Sequence, residues 1–191
     1  LALLAFLFPL AYSPGPGNMF FAANGARFGL RSTLAATAGY HVTTFGVTFP
    51  IGMGFSSAIA AAPEAFVFIK VAGSLYVLWL AWRLWRAGSL DGTEQANPAN
   101  FFDGAILLLL NPKAYVIIAL MFSQFLKEAS GTAEVIAISV IFTLNNLVAF
   151  TLWTVVGDRL ARTFRSEEHA RYLNTTFGGI LAIVGVWMLL S

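Results

Sequence analysis

Six long runs of this 191-residue chain carry almost no charge. They cover residues 1–26, 32–63, 65–82, 104–126, 135–157 and 172–191, and only Lys70 and Lys113 interrupt them. A helix that crosses a bilayer needs roughly 20 apolar residues. Each run is close to that length, so the pattern predicts an all-α integral membrane protein with six transmembrane helices.

The composition favours lipid over water as the solvent. Hydrophobic residues make up 58% of the chain and charged residues 10%, with a mean hydropathy of +0.76, whereas about a quarter of a soluble domain is charged. The net charge of +2 comes from basic residues that flank the apolar runs and form no basic face, so we expect no nucleic-acid partner. The absence of cysteine excludes a disulfide, a thiolate metal site and thiol redox chemistry.

The distribution of arginine orients the predicted helices. The loops after the first, third and fifth runs hold eight arginines: Arg27, Arg31, Arg83, Arg86, Arg159, Arg162, Arg165 and Arg171. The opposite side has Lys127, joined by Lys70 if that side chain snorkels outward. By the positive-inside rule we expect the arginine loops in the cytoplasm and both termini outside.

Two short motifs break the apolar runs. The first reads SPGPGN at residues 13–18, and the second reads NPK at residues 111–113. Proline and glycine leave backbone groups without helical partners, and hydrocarbon supplies no replacement. Paired breaks in the two halves of a membrane protein are typical of a solute site.

Three runs in each half mean that a repeat of one half in the other must be inverted. We therefore predict a single membrane domain made of two inverted three-helix repeats. Residues 1–86 form the first repeat, residues 87–100 a cytoplasmic linker, and residues 101–191 the second repeat. Many alternating-access transporters are built this way.

Several polar residues share the depth of the breaks. Lys113 follows Asp103 by ten residues, which at about 1.5 Å per residue places it roughly 15 Å from that end of the run, near the midplane. An unpaired cation there costs about 2.5 to 3.5 kcal/mol. The same estimate brings four more polar residues to mid-membrane, and we expect them to line a polar cavity: Asn18, His41, Asn145 and Asn146.

Each of these residues also has a purely structural interpretation. Lys113 can donate to carbonyls that Pro112 frees, and His41 can serve a hydrogen bond between helices. Both interpretations stay open. Every acidic residue lies near the end of a run, so His41, or a Lys113 that gives up its proton, is left to carry a coupled proton.

The motifs resemble those of the LysE/RhtB family of bacterial amino-acid exporters. The resemblance rests, in order along the chain, on residues 13–18, residues 25–29, the Lys70-x-x-Gly73-x-x-Tyr76 pattern, Gly104, residues 111–114 and residues 124–125. It implies a small, often dimeric inner-membrane protein that exports amino acids with the proton motive force. The family motif positions that carry over are Pro14, Gly15, Pro16, Asn111, Pro112 and Lys113.

The breaks suggest how an amino acid binds. A helix that restarts at Pro16 offers unpaired amides and its positive dipole end to a carboxylate, and Lys113 adds a charge. Carbonyls freed before the breaks suit an ammonium group, with help from Asn18, Asn145 and Asn146. Because no carboxylate lies at mid-membrane, we expect a neutral substrate such as threonine, homoserine or leucine.

Other classes of protein fit less well. The chain has two histidines, His41 and His169, no His-Glu metal motif and no Gly-x-Ser-x-Gly, so we expect no enzyme activity, no metal and no cofactor. The alternative function is a passive channel or a transporter of another small solute. Residues 1–10 also resemble a signal-peptide core, and because residue 1 is leucine, we expect further residues before it.

Overall fold

The computed structural model describes residues 1–55, 71–72, 74–79, 81–82, 85, 97–126, 131–163 and 167–190. Within these ranges the chain forms helices and no strand, which confirms the all-α prediction. The elements are α1 (Ala2–Tyr12), α2 (Pro16–Pro50), a π-helical turn (Ile51–Phe55), α3 (Phe101–Leu109), α4 (Pro112–Phe125), α5 (Thr132–Thr163) and α6 (Glu167–Leu190).

The first break lies where the proline and glycine residues predict it. Helix α1 ends at Tyr12 and α2 begins at Pro16, with Ser13 and Gly15 in extended conformations. Pro16 takes the first position of the new helix, where its missing amide hydrogen costs no helical bond. The chemistry of proline therefore fixes this boundary locally.

The second break separates α3 from α4. Helix α3 ends at Leu109 and α4 begins at Pro112, and the two helices are bent by 62°. A bent path is shorter end to end than a straight one. The 15 Å separation expected from the straight-helix rise is therefore an upper limit on how far Lys113 lies from the Asp103 end.

The first arginine loop is a kink within α2 and not a separate loop. Gly29 has φ 79° and ψ 170°, while the residues around it are helical. Positive φ values are open to glycine without steric cost. The chain thus passes from the first predicted span into the second by changing the conformation of one residue between Arg27 and Arg31.

Helices α2 and α5 cross with their backbones in contact. A Cβ atom on Gly25 of α2 would collide with the carbonyl of Thr154 in α5, and one on Gly157 of α5 would collide with the carbonyl of Ala22. Small residues on both sides are the usual means of close approach between membrane helices. This crossing brings the beginning of α2 against the last third of α5.

A second glycine crossing joins α2 to α3. A Cβ atom on Gly39 would collide with the carbonyl of Phe101, and one on Gly104 would collide with the carbonyl of Ala36. The part of α2 before the Gly29 kink therefore packs on α5, and the part after the kink packs on α3.

Only part of the six-span pattern can be compared with the helices. Within the described ranges, one stretch is long and apolar enough for a single crossing, Thr132–Ala161 in α5, and the bent pair of α3 and α4 counts as a second if it forms one broken span. The inverted six-helix repeat stays a prediction. Residues 56–70, which include Lys70 and the beginning of the third predicted span, and linker residues 87–96 lie outside the described residues.

Candidate functional site

A small cavity lies between the two helix breaks. It is lined by residues of α1, α2, α4 and α5 together with Asn111: Leu10, Ala11, Pro16, Gly17, Asn18, Tyr40, Asn111, Lys113, Ala114, Ile117, Phe142, Asn146 and Phe150. Its volume is about 20 Å³, which is room for a water molecule. Ligand pockets usually measure roughly 300 to 1,000 Å³, so this cavity must widen before it can hold an amino acid.

Half of the predicted site residues line this cavity. They are Pro16, Asn18, Asn111, Lys113 and Asn146, which come from both halves of the chain. Gly15 and Pro112 are buried, and each adjoins a lining residue in the sequence, whereas Pro14 is exposed. His41 and Asn145 lie outside the lining.

Lys113 reaches from α4 to the first break. Its Nζ atom donates to Oγ of Ser13 at 2.9 Å and to the backbone oxygen of Ser13 at 3.2 Å. A Cβ atom on Gly15 would lie 3.1 Å from that Nζ atom, so the glycine leaves room for the lysine. The acceptors of Lys113 therefore belong to the first break and are not the carbonyls freed by Pro112 that the structural interpretation expected.

The carbonyls at the end of α1 all have side-chain donors. Four consecutive carbonyls, those of residues 10–13, accept from Ser13 Oγ, Asn18 Nδ2, Trp153 Nε1 and Lys113 Nζ at 3.1, 2.9, 3.2 and 3.2 Å. The sequence suggested that these carbonyls face a solute ammonium group. In the conformation described, protein side chains satisfy them instead, as hydrocarbon requires.

The start of α2 opens onto the cavity. No side chain caps Gly15, and the first helical bond of α2 joins the Met19 amide to the Gly15 oxygen at 2.9 Å. Gly17 and Asn18 line the cavity, and their amides belong to the first turn, which has no acceptors within its own helix. An anion in the cavity would meet these amides, the positive end of the helix dipole and Lys113.

Tyr40 is a site residue that the sequence analysis did not single out. It is 2% exposed, lines the cavity, and its hydroxyl accepts a hydrogen bond from Asn111 Nδ2 at 3.2 Å. The ring packs against Phe150 and Phe21, with centroids 4.7 and 5.7 Å apart. A phenol one residue from His41, at the same estimated depth, was the signal that could have identified it.

His41 lies behind this aromatic layer and not in the cavity. Its Nδ1 atom is 2.7 Å from the Thr37 oxygen, one turn earlier in α2, and its ring centroid is 5.6 Å from that of Phe150. Nε2 is buried and has no hydrogen-bond partner among the described residues, although the backbone of Asn146 lies beside the ring without hydrogen-bond geometry. This contact lies within one helix, so it is not the bond between helices that the structural interpretation of His41 expected.

The two neighbouring asparagines of α5 face different directions. Asn146 is 7% exposed and lines the cavity, whereas Asn145 is outside the lining and its Nδ2 atom is buried without a hydrogen-bond partner in the described part of the chain. Successive residues of a helix point about 100° apart. Equal depth therefore does not bring both side chains to one site.

Charge in the cavity comes from one residue. Among the described residues that line it, Lys113 is the only one with a formal charge. The part of the chain that the structure describes also holds no group of three or more His, Cys, Asp or Glu side chains that could bind a metal ion. The site is suited to an anionic group and to hydrogen bonding.

Residues 8–191 match the family described as LysE type translocator. The chain belongs to the LysE family. This confirms the resemblance seen in the motifs, and the protein is a translocator rather than an enzyme. As a LysE translocator it is a multi-pass protein of the bacterial inner membrane.

Relatives of this LysE protein match it over most of their length. The chain is 28% identical to a homoserine/homoserine lactone efflux protein of Salmonella typhimurium, over 92% of this chain and 88% of the relative. It is 28% identical to an uncharacterized membrane protein of Vibrio cholerae over 99% and 93%, and 25% identical to a cysteine/O-acetylserine efflux protein of Escherichia coli K12 over 92% and 90%. No solved structure matches the chain with significance.

Proposed function

We propose that this LysE-family protein exports small neutral amino acids by alternating access, with the cavity between the helix breaks as the substrate site. Two of its relatives are named for the efflux of homoserine and its lactone, and of cysteine and O-acetylserine. These compounds share an amino group on a small skeleton without a charged side chain. Export of this class of compound is the function that the site supports best.

The observation that carries the proposal is the position of Lys113. Its ammonium group lies beside the first break, and the uncapped start of α2 lines the same cavity. A lysine and a helix N-terminus together favour a carboxylate, because both place positive charge where an anion binds. Every free amino acid carries that group.

The lining also supports a neutral side chain on the substrate. A lysine or arginine substrate would bring a second cation into a cavity that already holds Lys113, and no carboxylate is found among the described lining residues. An unpaired charge in a membrane interior costs several kilocalories per mole. Neutral amino acids avoid that cost.

A narrow centre fits a carrier better than a channel. The cavity of about 20 Å³ is too small for the substrate, and the bond between Lys113 and Ser13 joins the two halves of the chain next to it. Rocking of the halves would separate these residues and admit a substrate from one side at a time. We propose the proton motive force as the driving force, in line with the family resemblance.

The substitution Lys113→Met tests the proposal. In counterflow with proteoliposomes loaded with homoserine, threonine or leucine, we expect exchange to fall by at least about 30-fold, because the charged contact to the carboxylate is lost. Insertion and folding should survive, since methionine is less costly than lysine at this depth. Tyr115→Phe is the control, because Tyr115 lies in the same helix and bonds Leu109 outside the cavity.

Two outcomes would contradict the proposal. A well-inserted Lys113→Met protein that exchanges amino acids at the wild-type rate would remove the cavity from the transport path. Flux that never saturates with substrate, and no acceleration by substrate on the far side, would identify a passive channel.

A further inference from the structure

The amide of Asn111 holds a buried oxygen atom that nothing in the described structure satisfies. Asn111 is 5% exposed and lines the cavity, and its Oδ1 atom has no hydrogen-bond donor among the described residues. Buried polar atoms in proteins are nearly always paired. An unpaired acceptor in the wall of a proposed substrate site therefore calls for a donor from the substrate.

Asn111 does not use its side chain for the role that its position suggests. It is the N-cap residue of α4, where asparagine usually accepts a hydrogen bond from an amide of the first turn. Here the side chain makes no such bond, and the Ala114 amide instead bonds the backbone oxygen of Asn111 at 3.0 Å. The side chain is thus available for another purpose.

Tyr40 fixes the orientation of this amide. Asn111 Nδ2 donates to the Tyr40 hydroxyl at 3.2 Å. This bond keeps the amide nitrogen against the tyrosine, so Oδ1 points away from it. The tyrosine itself has little freedom, because Phe150 and His41 pack on its ring with centroids 4.7 and 5.3 Å away. The acceptor is therefore preorganised before any substrate arrives.

We infer that Asn111 Oδ1 accepts a hydrogen bond from the α-ammonium group of the substrate, and that Tyr40 is the positioning residue for it. This rests on the proposed function. Among the other acceptors expected from the sequence, the carbonyls before the first break, those of residues 10–13, already have side-chain donors. Asn111 and Lys113 lie two positions apart, so one short segment presents an acceptor for the ammonium group and a donor for the carboxylate.

The compounds in the name of one relative agree with separate contacts for the ammonium group and the carboxylate. That protein is named for efflux of both homoserine and homoserine lactone. The lactone has no carboxylate, because that group is closed into the ring, but it keeps the amino group. The group common to both compounds is the one that we assign to Asn111.

Two probes separate the roles of the two residues. Homoserine lactone carries the ammonium group without a carboxylate, and 4-hydroxybutanoate carries the carboxylate with a hydrogen in place of the ammonium group, so it has no donor for Asn111 Oδ1. Binding of each to the purified full-length protein is measured by calorimetric titration, which does not depend on transport. Homoserine is titrated in parallel as the complete ligand.

We expect opposite effects from two substitutions. Asn111→Leu should weaken lactone binding by about 10- to 100-fold, the usual range for a lost hydrogen bond to a charged group, and leave 4-hydroxybutanoate binding within about 3-fold. Lys113→Met should weaken 4-hydroxybutanoate and spare the lactone. Tyr40→Phe should weaken the lactone by a smaller factor and spare 4-hydroxybutanoate, while Tyr115→Phe should change neither.

A double variant serves as the control for misfolding. Asn111→Leu with Tyr40→Phe removes both partners of the bond, which leaves no polar atom of the pair buried alone, so it should fold and still show the selective loss of the lactone. Equal loss of both probes in all Asn111 variants would mean a structural role. Selective loss of 4-hydroxybutanoate binding would mean that the amide binds the carboxylate, and either result overturns the inference. Wild-type protein that binds neither homoserine nor leucine would instead overturn the proposed function, and this inference with it.

Discussion

The side-chain ammonium of Lys113 lies 2.9 Å from Oγ of Ser13, a residue 100 positions earlier in the chain. It also bonds the backbone oxygen of Ser13 at 3.2 Å. Hydrogen bonds from a charged donor are about twice as strong as those between neutral groups. The ammonium group has three hydrogens, so a carboxylate that takes more than the one left over must compete with Ser13.

Removing the hydroxyl should make the lysine easier to reach. In Ser13→Ala, Lys113 keeps its bond to the backbone oxygen of residue 13 and loses the shorter bond to Oγ. The substrate-free state therefore becomes less stable relative to the substrate-bound state. We expect the substrate concentration for half-maximal exchange to fall by about 3- to 10-fold. Initial rates of counterflow against homoserine concentration give this value.

Ser123→Ala is the matched control for that experiment. Ser123 lies in α4, is exposed, and donates to the Leu120 oxygen at 2.8 Å, a local serine bond like that of Ser13 to Leu10. It should leave the half-saturation concentration unchanged. A Ser13→Ala protein with weaker substrate binding would mean that the serine helps to hold the substrate and does not compete with it.

The glycine crossing between α2 and α3 predicts a difference between two glycine substitutions. Gly104→Ala puts a methyl group into the carbonyl of Ala36, whereas nothing lies within 4 Å of a Cβ atom on Gly46. We expect Gly104→Ala to lose about 1 to 3 kcal/mol of stability through overpacking. Gly46→Ala should be neutral or slightly stabilising, because alanine favours helix.

Thermal unfolding in detergent measures the two effects under the same conditions. The melting temperature of Gly104→Ala should fall clearly below that of the wild type, and that of Gly46→Ala should not. Equal melting temperatures for the two variants would show that α2 and α3 can separate at this crossing without loss of stability.

The arginine distribution predicts the topology. Because the chain has no cysteine, single cysteines can be labelled without background. A cysteine at Ser191 should react with an impermeant maleimide in intact cells, and one at Thr93 in the linker should react only after permeabilisation. The opposite pattern would place the eight arginines outside and reverse the orientation.

Substrate charge is tested by competition. Threonine, homoserine and leucine should each inhibit the uptake of labelled homoserine into preloaded proteoliposomes at lower concentrations than lysine or arginine. The physical reason is the lack of a carboxylate among the described lining residues beside Lys113. Half-inhibition by arginine at a lower concentration than threonine would contradict the prediction.

The sequence predicts those features that depend on local chemistry. Both helix restarts lie at prolines, Pro16 and Pro112, because proline cannot continue the preceding helix and is well suited to begin one. Depth along a helix follows from residue counting, and this brought Asn18 and Lys113 to one cavity. These predictions need no knowledge of the partner helices.

Residue counting does not predict on which face of its helix a side chain lies, nor which residues distant in sequence contact each other. Asn145 and Asn146 have the same depth, yet only Asn146 lines the cavity, and Tyr40 lines it where the sequence pointed to His41. Depth fixes the height of a side chain and not the face on which it lies. Which face turns inward depends on packing between α2 and α5, which one sequence without its relatives does not reveal.

The four bonds at the end of α1 differ in what they connect. Two stay within the first half of the chain, from Ser13 to Leu10 and from Asn18 to Ala11, and two come from the second half, from Trp153 and Lys113. The tip of α1 and the start of α2 therefore form one tied unit. In the proposed alternating-access cycle, rocking of the halves would break these two bonds and the bond from Lys113 to Ser13 Oγ, in a medium with no water to replace them. A bound carboxylate would give the Lys113 ammonium group a new acceptor in place of Ser13. A carrier without substrate would therefore reorient more slowly than one with substrate, and the membrane would stay closed to solutes between transport steps.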